Sequence, residues 1–207
     1  MSMTEAQQHW EERYGAQDRI WSGRVNTRLA ELAAQLPPGR ALDLGCGEGA
    51  DAVWLAERGW TVVGVDISQT ALSRAADAAR ERGVLQRIDF QHHDLSDSFP
   101  AGTYDLVSAQ FLHSLVRLER EQILRNAAAA VAPGGRLLIV DHGGAPPWAD
   151  QEVHDHHFPA AEEVVAQLDL ADADWERERL ESVERQAVGP DGQTAALADN
   201  VMVLRRR

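Results

Sequence analysis

An apolar strand that runs directly into a turn with glycine at every second position constrains this chain more than any other feature. The stretch is Ala41-Leu42-Asp43-Leu44-Gly45-Cys46-Gly47-Glu48-Gly49. Glycines at that density let the backbone bend sharply and let a ligand lie against it without meeting a Cβ. Seventeen residues after Gly49, a second apolar run, Thr61 to Val65, ends in Asp66. An acidic residue at the tip of the strand after such a turn is where doubly wound folds hold ribose hydroxyls. The two features together predict a site for a nucleoside-bearing ligand.

Gly45, Gly47 and Ala50 satisfy the loose G-x-G-x-x-G/A form of dinucleotide sites. Asp43 sits before the glycines, however, where a carboxylate repels a pyrophosphate but can organise a cationic amino-acid tail. Glu48 and Asp51 add negative charge where a helix N-terminus would otherwise welcome phosphate. The segments D-L-G-C-G-E-G and V-D-I-S resemble the first two motifs of the class I S-adenosylmethionine-dependent methyltransferases. The resemblance is close over 38–141 and looser elsewhere, and Pro133-Gly134-Gly135 ahead of a strand is typical of the same family. An NAD(P)-dependent oxidoreductase and a non-catalytic S-adenosylmethionine-binding regulator remain the alternatives on this fold.

That resemblance implies a set of site residues. Asp43 and the backbone of Gly45, Cys46, Gly47 and Gly49 would hold the methionine end of the cofactor. Asp66 would accept hydrogen bonds from the ribose, Ile67 would pack on adenine, and Asp94 and Leu95 would contact the adenine edge. Ala109, Gln110 and Phe111 would lie near the reacting methyl, with Phe111 toward the acceptor. W-x-x-R-Y followed by W-S-G-R-V-N resembles the start of small bacterial methyltransferases of the tellurite-resistance and thiopurine type. Arg13 would then pair with the cofactor carboxylate, and Trp10, Tyr14 and Trp21 would close over cofactor and acceptor. The product would be S-adenosylhomocysteine.

Methyl transfer is a displacement at carbon that needs alignment, poor solvation of the nucleophile, and a base only when the acceptor enters protonated. Histidine is the natural base, and His113 and His142 both follow apolar strands at the rim of the ligand crevice. Residues 141–158 hold Gly143-Gly144, Pro146-Pro147 and four of the eight histidines, which is loop composition. His154 and His157 are expected to touch substrate from that loop. His154-Asp155-His156-His157 has metal-ligand residue types, but adjacent residues rarely face one ion together, so no metal is expected.

Along the chain, helical and strand patterns alternate, which predicts a Rossmann-like, doubly wound, mostly parallel sheet of seven strands. Strands are expected at 40–44, 61–65, 87–91, 104–109 and 136–140. Two more, 175–188 and 195–205, are joined through Gly189-Pro190-Asp191-Gly192 as an antiparallel hairpin. One domain is expected: a helical lid over 1–36, a cofactor core over 37–141, a His-rich loop over 142–158 roofing the substrate, and a helix with hairpin over 159–207. Helices are expected over 4–14 with Thr4 and Gln7 as a capping box, 26–36, 50–58, 68–82, 118–131 and 160–170.

The charge balance is acidic, with 33 acidic and 20 basic residues and a net charge of −13, which argues against a nucleic-acid groove. A single cysteine fits a reducing compartment. The polar start and the lack of a long apolar run predict a cytoplasmic protein without membrane contact. The expected partner is a small-molecule acceptor, with soft nucleophiles such as sulfur among the candidates, and the expected state is a monomer or homodimer.

Overall fold

A computed structural model describes residues 3–207; expectations for the first two residues lie outside it. Thr4 caps α1 (Glu5–Gly15) through the expected reciprocal pair. The Gln7 amide donates to Thr4 Oγ1 at 3.2 Å, and the Thr4 amide donates to Gln7 Oε1 at 2.9 Å. α2 (Thr27–Ala33) ends ahead of Pro37-Pro38 and leads to β1 (Arg40–Leu44). Then come α3 (Ala50–Glu57), β2 (Thr61–Asp66) and α4 (Gln69–Glu81), which Ser68 caps by accepting from the Ala71 amide at 3.1 Å. A short 3-10 turn, Leu85–Arg87, precedes β3 (Ile88–His92). β4 (Tyr104–Gln110), α5 (Arg120–Ala129) and β5 (Val131–His142) complete the parallel part. α6 (Gln151–His154) and α7 (Ala161–Gln167) lead to the hairpin of β6 (Trp175–Val188) and β7 (Thr194–Arg206).

The seven strands run in the order β3-β2-β1-β4-β5-β7-β6. Pairs up to β5 are parallel, and β7 is antiparallel to both β5 and β6. β1 and β2 are buried at every position after their first, as strands covered by helices on both faces must be. Leu42, Leu44, Val63 and Val65 pack with α5 and α7 on one face. Ala41, Val62, Leu106 and Leu138 pack with α2, α3 and α4 on the other. Asp105 has a structural role: its Oδ2 accepts from the Arg40 amide at 2.8 Å and so joins the starts of β1 and β4.

The structure differs from the sequence reading at several element ends: α2 and α7 stop at Ala33 and Gln167, three residues short of the expected 36 and 170. α5 ends at Ala129, two residues before its expected end, because Val131 is taken into the sheet opposite Tyr104. The register then shifts between the pairs Tyr104–Val131 and Leu106–Arg136, so Pro133-Gly134-Gly135 bulges inside β5 instead of preceding it. The expected loop 141–158 contains the one-turn α6, and β5 itself runs on to His142. No described helix is long and apolar enough to cross a membrane.

Candidate functional site

The chain reverses direction of travel across the sheet between β1 and β4, and open α/β sheets form a ligand crevice at such a switch point, beyond the strand ends. A cavity of 1080 Å³ opens there. That is the upper end of the range for a drug-sized ligand, about 300–1,000 Å³, so it has room for a cofactor and a second small molecule.

Its floor is the glycine turn. Gly45, Gly47 and Gly49 take φ of 68°, 53° and 81°, a region costly for residues with a Cβ. A Cβ on Gly45 would stand 2.8 Å from Leu112 Cδ1, and one on Gly47 3.0 Å from the Tyr14 hydroxyl oxygen. Gly49 does something else. It does not border the cavity but lets α4 close on the turn, since its Cβ would stand 2.7 Å from Ala75 Cβ.

Three carboxylates lie under this floor. Asp43 is 2% exposed, and its Oδ2 has no hydrogen-bond partner among the described residues. Burial, then the charges of Asp51 and Asp66, push its carboxyl well above the usual carboxylate range. Asp66 is pinned by two backbone donors, the Gly47 amide to Oδ2 and the Ser68 amide to Oδ1, each at 2.9 Å. Burial raises Asp66 too, against the pull of those amides. Asp51 Oδ1 accepts from the Asn26 amide and Oδ2 from its Nδ2, both at 2.7 Å. The Cys46 thiol is buried beside them; burial and the Asp66 and Asp43 charges push it up.

The strap 16–28 forms one wall. Glu48, buried at the turn, accepts from the Ile20 and Trp21 amides at 3.2 and 3.1 Å and from Arg74 Nη1 at 3.0 Å. Trp21 Nε1 donates to the Tyr14 hydroxyl at 3.0 Å. Trp10, Tyr14 and Trp21 all border the cavity. Arg13 does not: its guanidinium lies over the rings of Trp10 and Trp21, 5.3 and 5.7 Å from their centroids. Ile67, Asp94 and Leu95 border the side formed after β2 and β3.

The remaining wall comes from the ends of β4, β5 and the hairpin. Gln110 reaches the cavity with Nε2 donating to Ser108 Oγ at 2.9 Å and a buried Oε1 without a partner. Ala109 is fully buried in β4 and does not border the cavity. Phe111 has φ 52°, a strained value for a bulky residue, and turns the chain so that Leu112 and His113 face the cavity. His142 stays behind that wall, stacked on Phe111 with ring centroids 4.4 Å apart. Burial, then the His113 charge, holds its imidazole below the ordinary histidine value.

His154 and His157 do not come to the cavity, and none of the described residues of 142–158 borders it. His157 is exposed and lies 3.8 Å from Glu163. No group of three or more His, Cys, Asp or Glu among the described residues is disposed to hold a metal ion. Sequence reasoning missed Arg185 and Asp199, which border the cavity from the hairpin and pair at 2.8 Å. It also missed the contact of His113 with Asp141, 3.3 Å apart. The only signal for either pair was an ionisable residue near the end of a strand.

A Rossmann-like sheet with an antiparallel C-terminal hairpin and a glycine-turn crevice floored by carboxylates defines a methyltransferase-type fold. Comparison with known proteins agrees. A family described as a methyltransferase domain matches residues 41–135. A 2-heptyl-1-hydroxyquinolin-4(1H)-one methyltransferase of Mycobacteroides abscessus is 35% identical over 152 residues, 70% of this chain and 66% of that protein. The N-methyltransferase NodS of Bradyrhizobium japonicum, solved with S-adenosylhomocysteine, superposes with a TM-score of 0.68 at 22% identity, covering 97% of this chain and 98% of that one. TehB of Haemophilus influenzae gives 0.72 at 18% identity, over 88% and 63%; at such identity the likeness is one of fold. The chain spans 43 to 66% of the length of the first curated relatives it matches. The matched domain and these relatives support a class I S-adenosylmethionine-dependent methyltransferase.

Proposed function

We propose that this protein binds S-adenosylmethionine on the glycine turn and transfers its methyl group to a small-molecule acceptor on the β4–β5 side of the same cavity. The observation that carries this reading is Asp43, a buried carboxylate with a partnerless oxygen bordering the cavity. A buried carboxylate without a partner is costly, and a cationic ligand group removes the cost. Gln110 Oε1 is a second buried acceptor in want of a donor. Asp43 and Gln110 would therefore hold the ammonium of the cofactor's methionine end.

Asp66, fixed by its two amide donors, keeps lone pairs for the ribose hydroxyls. Ile67 and Leu95 offer apolar surface to the adenine, and Asp94 an acceptor for its amine. The bound cofactor supplies a methyl carbon activated by a sulfonium, open to in-line displacement. Trp10, Tyr14 and Trp21 exclude water from it, which raises the reactivity of the acceptor atom. Three carboxylates around the turn, Asp43, Glu48 and Asp51, disfavour a pyrophosphate and hence the oxidoreductase alternative.

The acceptor of the M. abscessus relative is a small aromatic molecule by its name, which fits the room left in the cavity. The acidic balance of the chain supports an acceptor other than nucleic acid, and the proposal takes the protein as a cytoplasmic monomer or homodimer.

Titration calorimetry with S-adenosylmethionine, S-adenosylhomocysteine and NAD tests the reading. The first two are expected to bind. Asp66→Ala removes hydrogen bonds to a charged acceptor worth about 1.5–3 kcal/mol each and should weaken both by about 100-fold. Binding of NAD in their place would overturn it.

A further inference from the structure

The β4–β5 rim carries an arrangement that cofactor binding does not use. Asp141 is completely buried near the end of β5. Its Oδ2 is held by Arg120 Nη2 from the start of α5. Its Oδ1 faces His113 Nε2 at 3.3 Å, and neither of these two atoms has a hydrogen-bond partner with good geometry among the described residues. Arg120 also donates from Nε to the Leu112 carbonyl at 3.1 Å, next to His113 in the chain. One guanidinium therefore positions both the carboxylate and the segment that carries the imidazole.

Burial would raise the Asp141 carboxyl, but the His113 contact and the Arg120 charge together keep it below the usual carboxylate range. An ionised Asp141 facing Nε2 favours the tautomer with hydrogen on Nε2, leaving the Nδ1 lone pair free. His113 borders the cavity, while Asp141 and Arg120 do not. A purely structural ion pair needs only Arg120 and Asp141; it does not need a cavity-lining imidazole set against the second carboxylate oxygen. Catalytic hydrogen bonds in ligand-free sites are often long or poorly aligned and tighten in the reacting complex.

We infer that His113 is the general base and Asp141 its positioning residue, so that the acceptor reacts through a hydroxyl or an N–H rather than through a soft anion. The inference rests on the methyltransferase reading above. As the acceptor oxygen or nitrogen bonds to the methyl carbon, its proton passes to His113 Nδ1, and the carbon–sulfur pair leaves with the donor sulfur. The imidazolium so formed faces Asp141. The other charged groups around it are Arg120 from α5, His142 with its ring 6.0 Å away, and Arg185 and Asp199, which border the same cavity from β6 and β7.

Two measurements on the full chain test this. Long-range ¹H–¹⁵N spectra of the ligand-free protein at pH 8 are expected to show His113 protonated on Nε2; protonation on Nδ1 would overturn the proposal without any turnover assay. S-adenosylhomocysteine release is then followed with hydroxyquinolines and azoles as hydroxyl and N–H probes, and with thiocyanate and iodide as anions without a proton. His113→Gln should lower kcat on the former about 100- to 1,000-fold, with the Kd for S-adenosylmethionine unchanged. Asp141→Asn should lower kcat about tenfold with little change in KM. Turnover of the anions alone, or an unchanged kcat in His113→Gln, would refute the proposal. Failure of S-adenosylmethionine to bind would refute the underlying reading instead. If it binds and no probe turns over, the tautomer decides.

Discussion

Two segments outside the parallel sheet have similar credentials as covers for the crevice, and they end up in different places. The strap 16–28 and the segment 142–158 both have loop composition and carry aromatic or imidazole side chains. The strap borders the cavity through Trp21 and its neighbours, whereas the described residues of 142–158 do not reach it. The difference lies in what waits for each on the core. Glu48 and Asp51, on the turn and the first turn of α3, offer buried carboxylates to the backbone amides of Ile20, Trp21 and Asn26. Among the described residues no such set of acceptors meets 154–157, whose side chains lie in solvent. A loop becomes a wall when buried groups on the core need its amides, because such groups cannot be left unpaired.

The largest effect should come from removing both clips at once. Glu48→Ala with Asp51→Ala frees the strap from the turn and is expected to weaken S-adenosylmethionine binding about 100-fold, read by calorimetry. Each clip involves hydrogen bonds to a charged acceptor of about 1.5–3 kcal/mol. Unchanged affinity would show that the strap contributes no wall. Glu48 and Asp51 also act against the reading of them as mere phosphate repellents: their first role here is to hold the chain.

A pH series should give an intermediate effect and separate the floor beneath the strap from the histidines of the outer segment. Asp43 is raised when buried alone, so the ligand-free protein retains a proton there that an ammonium must displace. Affinity for S-adenosylmethionine should therefore rise with pH, by up to about tenfold per unit, below the raised Asp43 value and level off above it. The same linkage makes ionised Asp43 a burden on the free fold: its contribution is most favourable below the ordinary aspartate value and is lost as pH rises toward the raised one. Asp43→Asn should abolish the pH slope. A slope that persists in that variant but vanishes in His154→Ala or His157→Ala would reverse the comparison.

The smallest effect is expected from the outer segment itself. His154→Ala and His157→Ala should change binding and turnover less than twofold, by calorimetry and product release. A loss larger than tenfold would mean that 142–158 closes over the site during turnover.

Much of the cavity floor was legible because its residues are local in the chain. Asp43 and the glycines of the turn lie within seven residues, and Asp66 ends the very next strand, so spacing alone places them at one crevice. Ala109 has the right motif position but serves packing, because alternate residues of a strand point to opposite faces; Gly49, the residue that opens α3, faces Ala75 of α4 instead of the cavity. Arg13 was placed at the cofactor, but the faces of Trp10 and Trp21 take its guanidinium instead. The hairpin was foreseen, yet nothing in its sequence said that Arg185 and Asp199 would line the cavity.

By itself, then, the sequence determined the sheet, the glycine turn and the carboxylate beneath it, since each follows from strand period, backbone freedom or charge within a short stretch. Only the tertiary structure decided which loop walls the crevice and which histidine meets a carboxylate. Glu48 finds Ile20 from 28 residues away, Asp51 finds Asn26 from 25, and Asp141 finds Arg120 from 21. Those pairings depend on how helices and strand ends pack around the switch point, and spacing along a chain carries no record of that.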